Sequence, residues 1–133
     1  MEALKNTRTK LSRPFVVWLM GLSGAGKTTL ASELRLKLQQ YGIQCGSLDG
    51  DVLRSTLTSN LDFSDQDRTE NIKLAARLAK IKVDYGMPVI AAFMSPKEHH
   101  REIVRSTFES HEVIEVYVDT SLKECERRDS KGL

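Results

Sequence analysis

The stretch "GLSGAGKTTL", Gly21 to Leu30, follows the apolar run "FVVWLM" and constrains the fold more than any other part of the chain. Gly21, Gly26, Lys27 and Thr28 meet the spacing G-x-x-x-x-G-K-[ST]. Glycines at these places let the backbone curl until successive N–H groups point inward at a β-phosphate. A helix starting near Lys27 adds the positive end of its dipole. Lys27 then neutralises β- and γ-phosphates, and the Thr28 hydroxyl holds Mg²⁺. A dinucleotide fingerprint would need a third glycine, and a protein-kinase fold would need H-R-D and D-F-G; the chain has none of these. The pattern points to a nucleoside triphosphate bound with magnesium.

Around this loop, apolar runs alternate with helical patterns. "FVVWLM" (Phe15 to Met20), bounded by Pro14 and Gly21, is expected as a strand buried on both faces. "KTTLASELRLKLQQYG" sets Leu30, Leu34 and Leu38 four apart and stops at Gly42. "IQCGSLDGD" is expected as a second short strand, with Cys45 buried in it, and a short helix should follow from Val52 to Leu57. The next helix is capped by Ser64 or Asp65, buries Ile72, Ala75, Ala76, Ala79 and Val83, and closes at Gly86. "MPVIAAFMSP" is a third buried strand, "KEHHREIVRSTF" a polar helix and "EVIEVYVD" a fourth strand. "TSLKECERRD" opens on a capping box of Ser121 and Glu124. This alternation predicts an α/β fold with three α-β-α layers around a parallel sheet, whose ligands sit at the carboxyl ends of the strands. Residues 1–13 are expected as a flexible arm and 14–133 as one P-loop domain.

With 133 residues, 40% hydrophobic and 29% charged, the chain suits one globular domain. A net charge of +2 without dense Lys/Arg clusters argues against nucleic acid as a partner. No apolar run is long enough for a membrane span, and the polar start lacks a signal-peptide core. Cys45 and Cys125 have no nearby His or Cys to pair with, so both are expected as small packing residues in a cytoplasmic, reducing compartment. His99, His100 and His111 carry no assignment, and adjacent histidines on a polar helix are expected to be solvated.

The second strand ends in "LDGD". One of Asp49 and Asp51 can organise the water around Mg²⁺ while the other takes the proton of an attacking hydroxyl. The same four residues also suit an Asx turn in which Asp51 caps the next helix. Arg54, Phe63, Arg68 and Asn71 follow, with Arg68 and Asn71 on one helix face. An aromatic ring, two guanidinium groups and an amide suit a planar base carrying an anion, although each of the four taken singly also suits a solvated surface.

The segments "WLMGLSGAGKTTLA", "SLDGDVLR", "NLDFSDQDRTENI", "FMSP" and "VYVDTSLKECERRDSKGL" together resemble the adenylylsulfate kinase (adenosine 5′-phosphosulfate kinase) family. The resemblance implies transfer of the ATP γ-phosphate to the 3′-hydroxyl of adenosine 5′-phosphosulfate. By position it assigns Gly24, Ala25, Gly26, Lys27, Thr28 and Thr29 to the ATP site. Asp51, Arg54, Phe63, Arg68, Asn71, Met94, Ser95 and Lys131 fall to the acceptor site. Combined with the residue reading, Asp51 is the expected base, Asp49 and Thr28 serve the metal, and the Ser95-Pro96 turn is mainly a substrate wall. Ser95 is the position described in the family as a phosphoserine. A homodimer or an association with ATP sulfurylase is the expected assembly. Two departures from the family pattern matter. Val52 replaces the Asn of D-G-D-N, losing a hydrogen bond worth roughly 0.5–1.5 kcal/mol. The family also continues past K-G-L into a basic lid, a last strand and a helix, so poor turnover is expected of a chain read only to Leu133. The alternatives are a related small-molecule kinase with another acceptor, or a nucleotide-binding module without turnover.

Overall fold

Four parallel strands carry the molecule, in the order β2-β3-β1-β4. The structure is a computed structural model that describes residues 13–22, 24–50, 53 and 64–128. Along the chain run β1 (Val16–Met20), α1 (Lys27–Gln40), β2 (Gly46–Asp49), α2 (Asp65–Asp84), β3 (Val89–Ala92), α3 (Glu98–Thr107), β4 (Val113–Tyr117) and α4 (Leu122–Arg128).

The apolar run of β1 sits between β3 and β4, and all five residues are buried. Side chains alternate across a strand, so its residues divide between two clusters. Val16, Trp18 and Met20 pack with Ile72, Ala75, Ala76, Ala79 and Val83 of α2 and with Val104 of α3. Val17 and Leu19 face the other way, against Ala31, Leu34 and Leu38 of α1. With α2 and α3 on one face and α1 on the other, the three expected layers are present. Burying each large apolar side chain of β1 contributes roughly 1.5–3 kcal/mol.

The α2 face matches the expectation residue for residue, with Asn71 added to it. Its cap is Ser64, whose Oγ accepts the Asp67 N–H at 3.2 Å. The α4 cap also forms, with Ser121 Oγ accepting from Glu124 N at 3.2 Å, while Arg127 holds the Glu124 carboxylate.

The helix expected from the leucine spacing forms as α1 and stops ahead of Gly42, with no residue fully buried and Leu30 38% exposed. Other expectations need correction. Cys45 lies just ahead of β2 and is half-buried rather than enclosed, because β2 is an edge strand paired with β3. Strand β4 has an exposed side, with Ile114 and Tyr117 at 49% and 64%. His100, expected in solvent, is fully buried at 0%. It stands four residues before Val104 on the inner side of α3 and eight before Phe108, the buried residue that ends the helix, a spacing that could have revealed it.

Register places the strand ends. Val16 pairs with Val89 and with Val113, and Gly46 also pairs with Val89, so Asp49, Ala92 and Leu19 lie level across the sheet. Chain leaving each strand at this edge builds the site.

Candidate functional site

After β1 the chain turns sharply, with positive φ at Gly21 (149°), Gly24 (85°) and Gly26 (105°). Gly24 needs its missing side chain for two reasons. Its φ is one that L-residues resist, and a Cβ there would lie 2.8 Å from the Cys125 carbonyl oxygen. Helix α4 therefore rests directly on the loop. A second tie is the Thr120 hydroxyl, which donates to the Ala25 carbonyl at 2.9 Å. Cys125 is buried as expected, and its place against Gly24 is something its spacing in the chain did not disclose.

The Lys27 ammonium donates to the carbonyls of Gly21 at 2.7 Å and Leu22 at 2.9 Å, so it lies curled inside the loop. Thr28 and Thr29 are exposed on the first turn of α1. The Thr28 hydroxyl donates to Asp49 Oδ2 at 3.0 Å. Residues 21 apart in sequence, picked separately for one metal, are thus in contact. Gly50 beyond Asp49 is buried, and a Cβ on it would sit 3.2 Å from Phe93 Cδ1. Phe93 stacks on Trp18 with centroids 5.1 Å apart, so this wall is stiff.

On the other side, Arg68 Nη1 donates to Met94 Sδ at 3.6 Å, joining α2 to the chain leaving β3. Arg68 is half-buried, and Asn71, 3% exposed, sits one turn further along α2. Ser95 is 1% exposed and has φ 44°, in the left-handed region. Its Oγ accepts the Trp18 indole N–H at 3.2 Å. Asp51, Arg54, Phe63 and Lys131 lie outside the described residues, as does the helix expected over Val52 to Leu57 apart from Leu53, which is buried.

One cluster was missed by the sequence reading. Asp65, at the start of α2, meets His99 Nε2 at 3.1 Å and His100 Nε2 at 3.2 Å. Three such side chains are a candidate metal set, but the hydrogen bonding decides otherwise. His100 Nδ1 accepts the Lys97 N–H at 3.2 Å, which puts the ring proton of the neutral form on Nε2. That nitrogen faces Asp65 as a donor, outside good hydrogen-bond geometry, and has no lone pair for a cation. The cluster instead clasps α2 to α3. Burial, with the neighbouring His99 second, holds the His100 pKa below its ordinary value.

Comparison with known proteins decides the family. The model of the adenylylsulphate kinase family matches residues 13–133. The chain belongs to that family. An adenylyl-sulfate kinase of Pseudomonas aeruginosa is 52% identical over 124 residues, covering 93% of this chain and 63% of the relative. One of Vibrio cholerae is 49% identical over 133 residues, covering 100% of this chain and 62% of the relative. Among solved structures, an APS kinase of Mycobacterium tuberculosis in complex with AMPPNP and APS aligns with a TM-score of 0.85 at 40% identity, over 90% of this chain and 70% of that one. The chain thus spans about three-fifths of the length of the curated family members it matches. Among the described residues no helix is long and apolar enough to cross a membrane.

Proposed function

We propose that this family member transfers the γ-phosphate of ATP to the 3′-hydroxyl of adenosine 5′-phosphosulfate, giving 3′-phosphoadenosine 5′-phosphosulfate. The observation that carries the reading is the Thr28–Asp49 contact beside Lys27, at the edge of the sheet that also holds Arg68 and Asn71. The relative solved with both AMPPNP and APS supports the same pairing of ligands.

The loop amides from Gly21 to Thr29 and the N-terminal end of α1 receive the triphosphate, and Lys27 exchanges its carbonyl partners for phosphate oxygens. Thr28 and Asp49 supply hydroxyl and carboxylate oxygens, the hard donors that Mg²⁺ prefers, and would hold it directly or through its waters. When bound, the ion offsets charge on the β- and γ-phosphates. Asp51, two residues beyond Asp49, takes the proton of the acceptor hydroxyl. Arg68 places a cation for the acceptor's phosphosulfate, Asn71 an amide for its polar edges, and Met94 and Ser95 form its wall. Arg54, Phe63 and Lys131 complete the acceptor site by family position. A homodimer, or association with ATP sulfurylase, and a cytoplasmic location belong to the same reading.

The test is a coupled assay that offers ATP with adenosine 5′-phosphosulfate or with other hydroxyl acceptors. Turnover on the first alone, with Arg68→Ala raising the acceptor KM far more than the ATP KM, is the expected result. Turnover only on another acceptor overturns the reading, as does ATP binding without turnover on any.

A further inference from the structure

Among the described residues, Ser95 is the only non-glycine residue with positive φ. Such a backbone persists where its surroundings over-determine it, and those sites are commonly functional. At Ser95 the restraints can be named. Trp18 Nε1 donates to Oγ at 3.2 Å, and Oγ lies 3.4 Å from the Phe93 carbonyl as its donor. Arg101 Nη1 donates to the Ser95 carbonyl at 3.2 Å and to the Pro96 carbonyl at 3.3 Å. Glu98 Oε2 fixes that guanidinium, accepting from Nε at 3.2 Å and Nη2 at 2.7 Å. One residue before the strained position, Met94 carries the sulfur that Arg68 touches.

The turn is thus gripped from two elements. Trp18 belongs to β1, which leads into the phosphate loop, and is fully buried and stacked on Phe93. Arg101 belongs to α3. Both side chains spend their donors on this turn, whereas Lys27 and Thr28 bond to Gly21, Leu22 and Asp49. A restraint this strong on a turn that abuts Arg68 fixes where the acceptor wall stands relative to the phosphate loop.

We infer that Trp18 and Arg101 are positioning residues for the acceptor nucleotide, acting through Ser95. In this arrangement the Ser95 hydroxyl is a latch between β1 and the turn. Its oxygen receives the indole N–H, and it is buried away from solvent. The inference rests on the proposed acceptor site and adds to it two residues that do not touch the acceptor.

The experiment is calorimetric binding of adenosine 5′-phosphosulfate and, separately, of AMPPNP to the wild type, Trp18→Phe, Ser95→Ala, their double variant and Arg101→Gln. Trp18→Phe keeps a ring against Phe93 and removes the donor. Each single variant should weaken acceptor binding roughly threefold to tenfold, the equivalent of one hydrogen bond, with AMPPNP affinity within about twofold. Trp18→Phe and Ser95→Ala delete the same bond, so the double variant should lose no more than the worse single one. Should Trp18→Phe fail to fold, Ser95→Ala and Arg101→Gln carry the comparison. Unchanged acceptor affinity, equal losses for both nucleotides, or additive losses in the double variant overturn the inference while the proposed function stands. A wild type that binds AMPPNP but not the acceptor overturns both.

Discussion

Gly24 and Gly26 provide a paired perturbation that measures how α4 is docked on the phosphate loop. Both have positive φ, 85° and 105°, so alanine at either place is strained by roughly 1–3 kcal/mol. Their surroundings differ. A Cβ on Gly26 meets nothing within 4 Å, whereas one on Gly24 lies 2.8 Å from the Cys125 carbonyl oxygen and 3.3 Å from the Cys125 Cα. Those are backbone atoms of a helix tied to Ala25 through Thr120, so they cannot swing aside as the end of a side chain can. Overpacking of this kind costs about 1–3 kcal/mol more. Gly26→Ala should therefore destabilise by roughly 1–3 kcal/mol and Gly24→Ala by roughly 2–6 kcal/mol. The assay is urea unfolding of the nucleotide-free protein, supported by thermal melting, where each kcal/mol moves the midpoint by about 4 °C. Leaving nucleotide out keeps backbone contacts with phosphate from entering the comparison. Equal destabilisation by the two alanines would falsify the docking of α4 against Gly24.

Lys27→Ala should lower phosphate transfer by at least about a hundredfold and shift the urea midpoint little, since it removes two bonds to loop carbonyls rather than packing; a full transfer rate would contradict its role. Gly50→Ala sets a Cβ 3.2 Å from the Phe93 ring, which Trp18 keeps from yielding. The displaced Asp49 should slow transfer about tenfold, and an unchanged rate in the coupled assay would show that the wall gives way. The pH dependence follows from His100, whose folded pKa lies below the unfolded 6.5 because its ring is buried. The unfolded chain then takes up the proton first, so the stability this group contributes is complete above pH 6.5 and falls as pH drops through the folded pKa. His100→Asn, which removes the titrating group, should flatten that part of the stability–pH curve measured by urea unfolding; an identical slope would remove His100 from the account.

Much of this architecture is readable in one dimension because its determinants are local. Spacing alone marked the phosphate loop, since curling a backbone around a phosphate needs glycine and lysine at fixed intervals. The α2 face was readable because Ile72, Ala75, Ala76, Ala79 and Val83 recur at the helical period, and residue type decides burial there. At α1 the leucine spacing marked the helix but not its depth: a stripe becomes a buried face only where neighbouring elements cover it, and no residue of α1 is fully covered. Cys45 failed for a related reason: a strand's place at the edge or centre of a sheet is set by which strands pair.

What tertiary structure alone decided are the contacts between distant segments. The register of three parallel pairings brings Asp49 to Thr28, 21 residues away. It brings Trp18 to Ser95 across 77 residues, and the packing of α4 brings Cys125 against Gly24. His100 inverted its expected place: its spacing from Val104 marks the inner face, but its partners are the Lys97 amide three residues back and Asp65, which only folding brings from another helix. Local spacing could name the groups that handle phosphate. Only the folded sheet, which sets distances between groups remote in sequence, could show which of them touch and what holds them still.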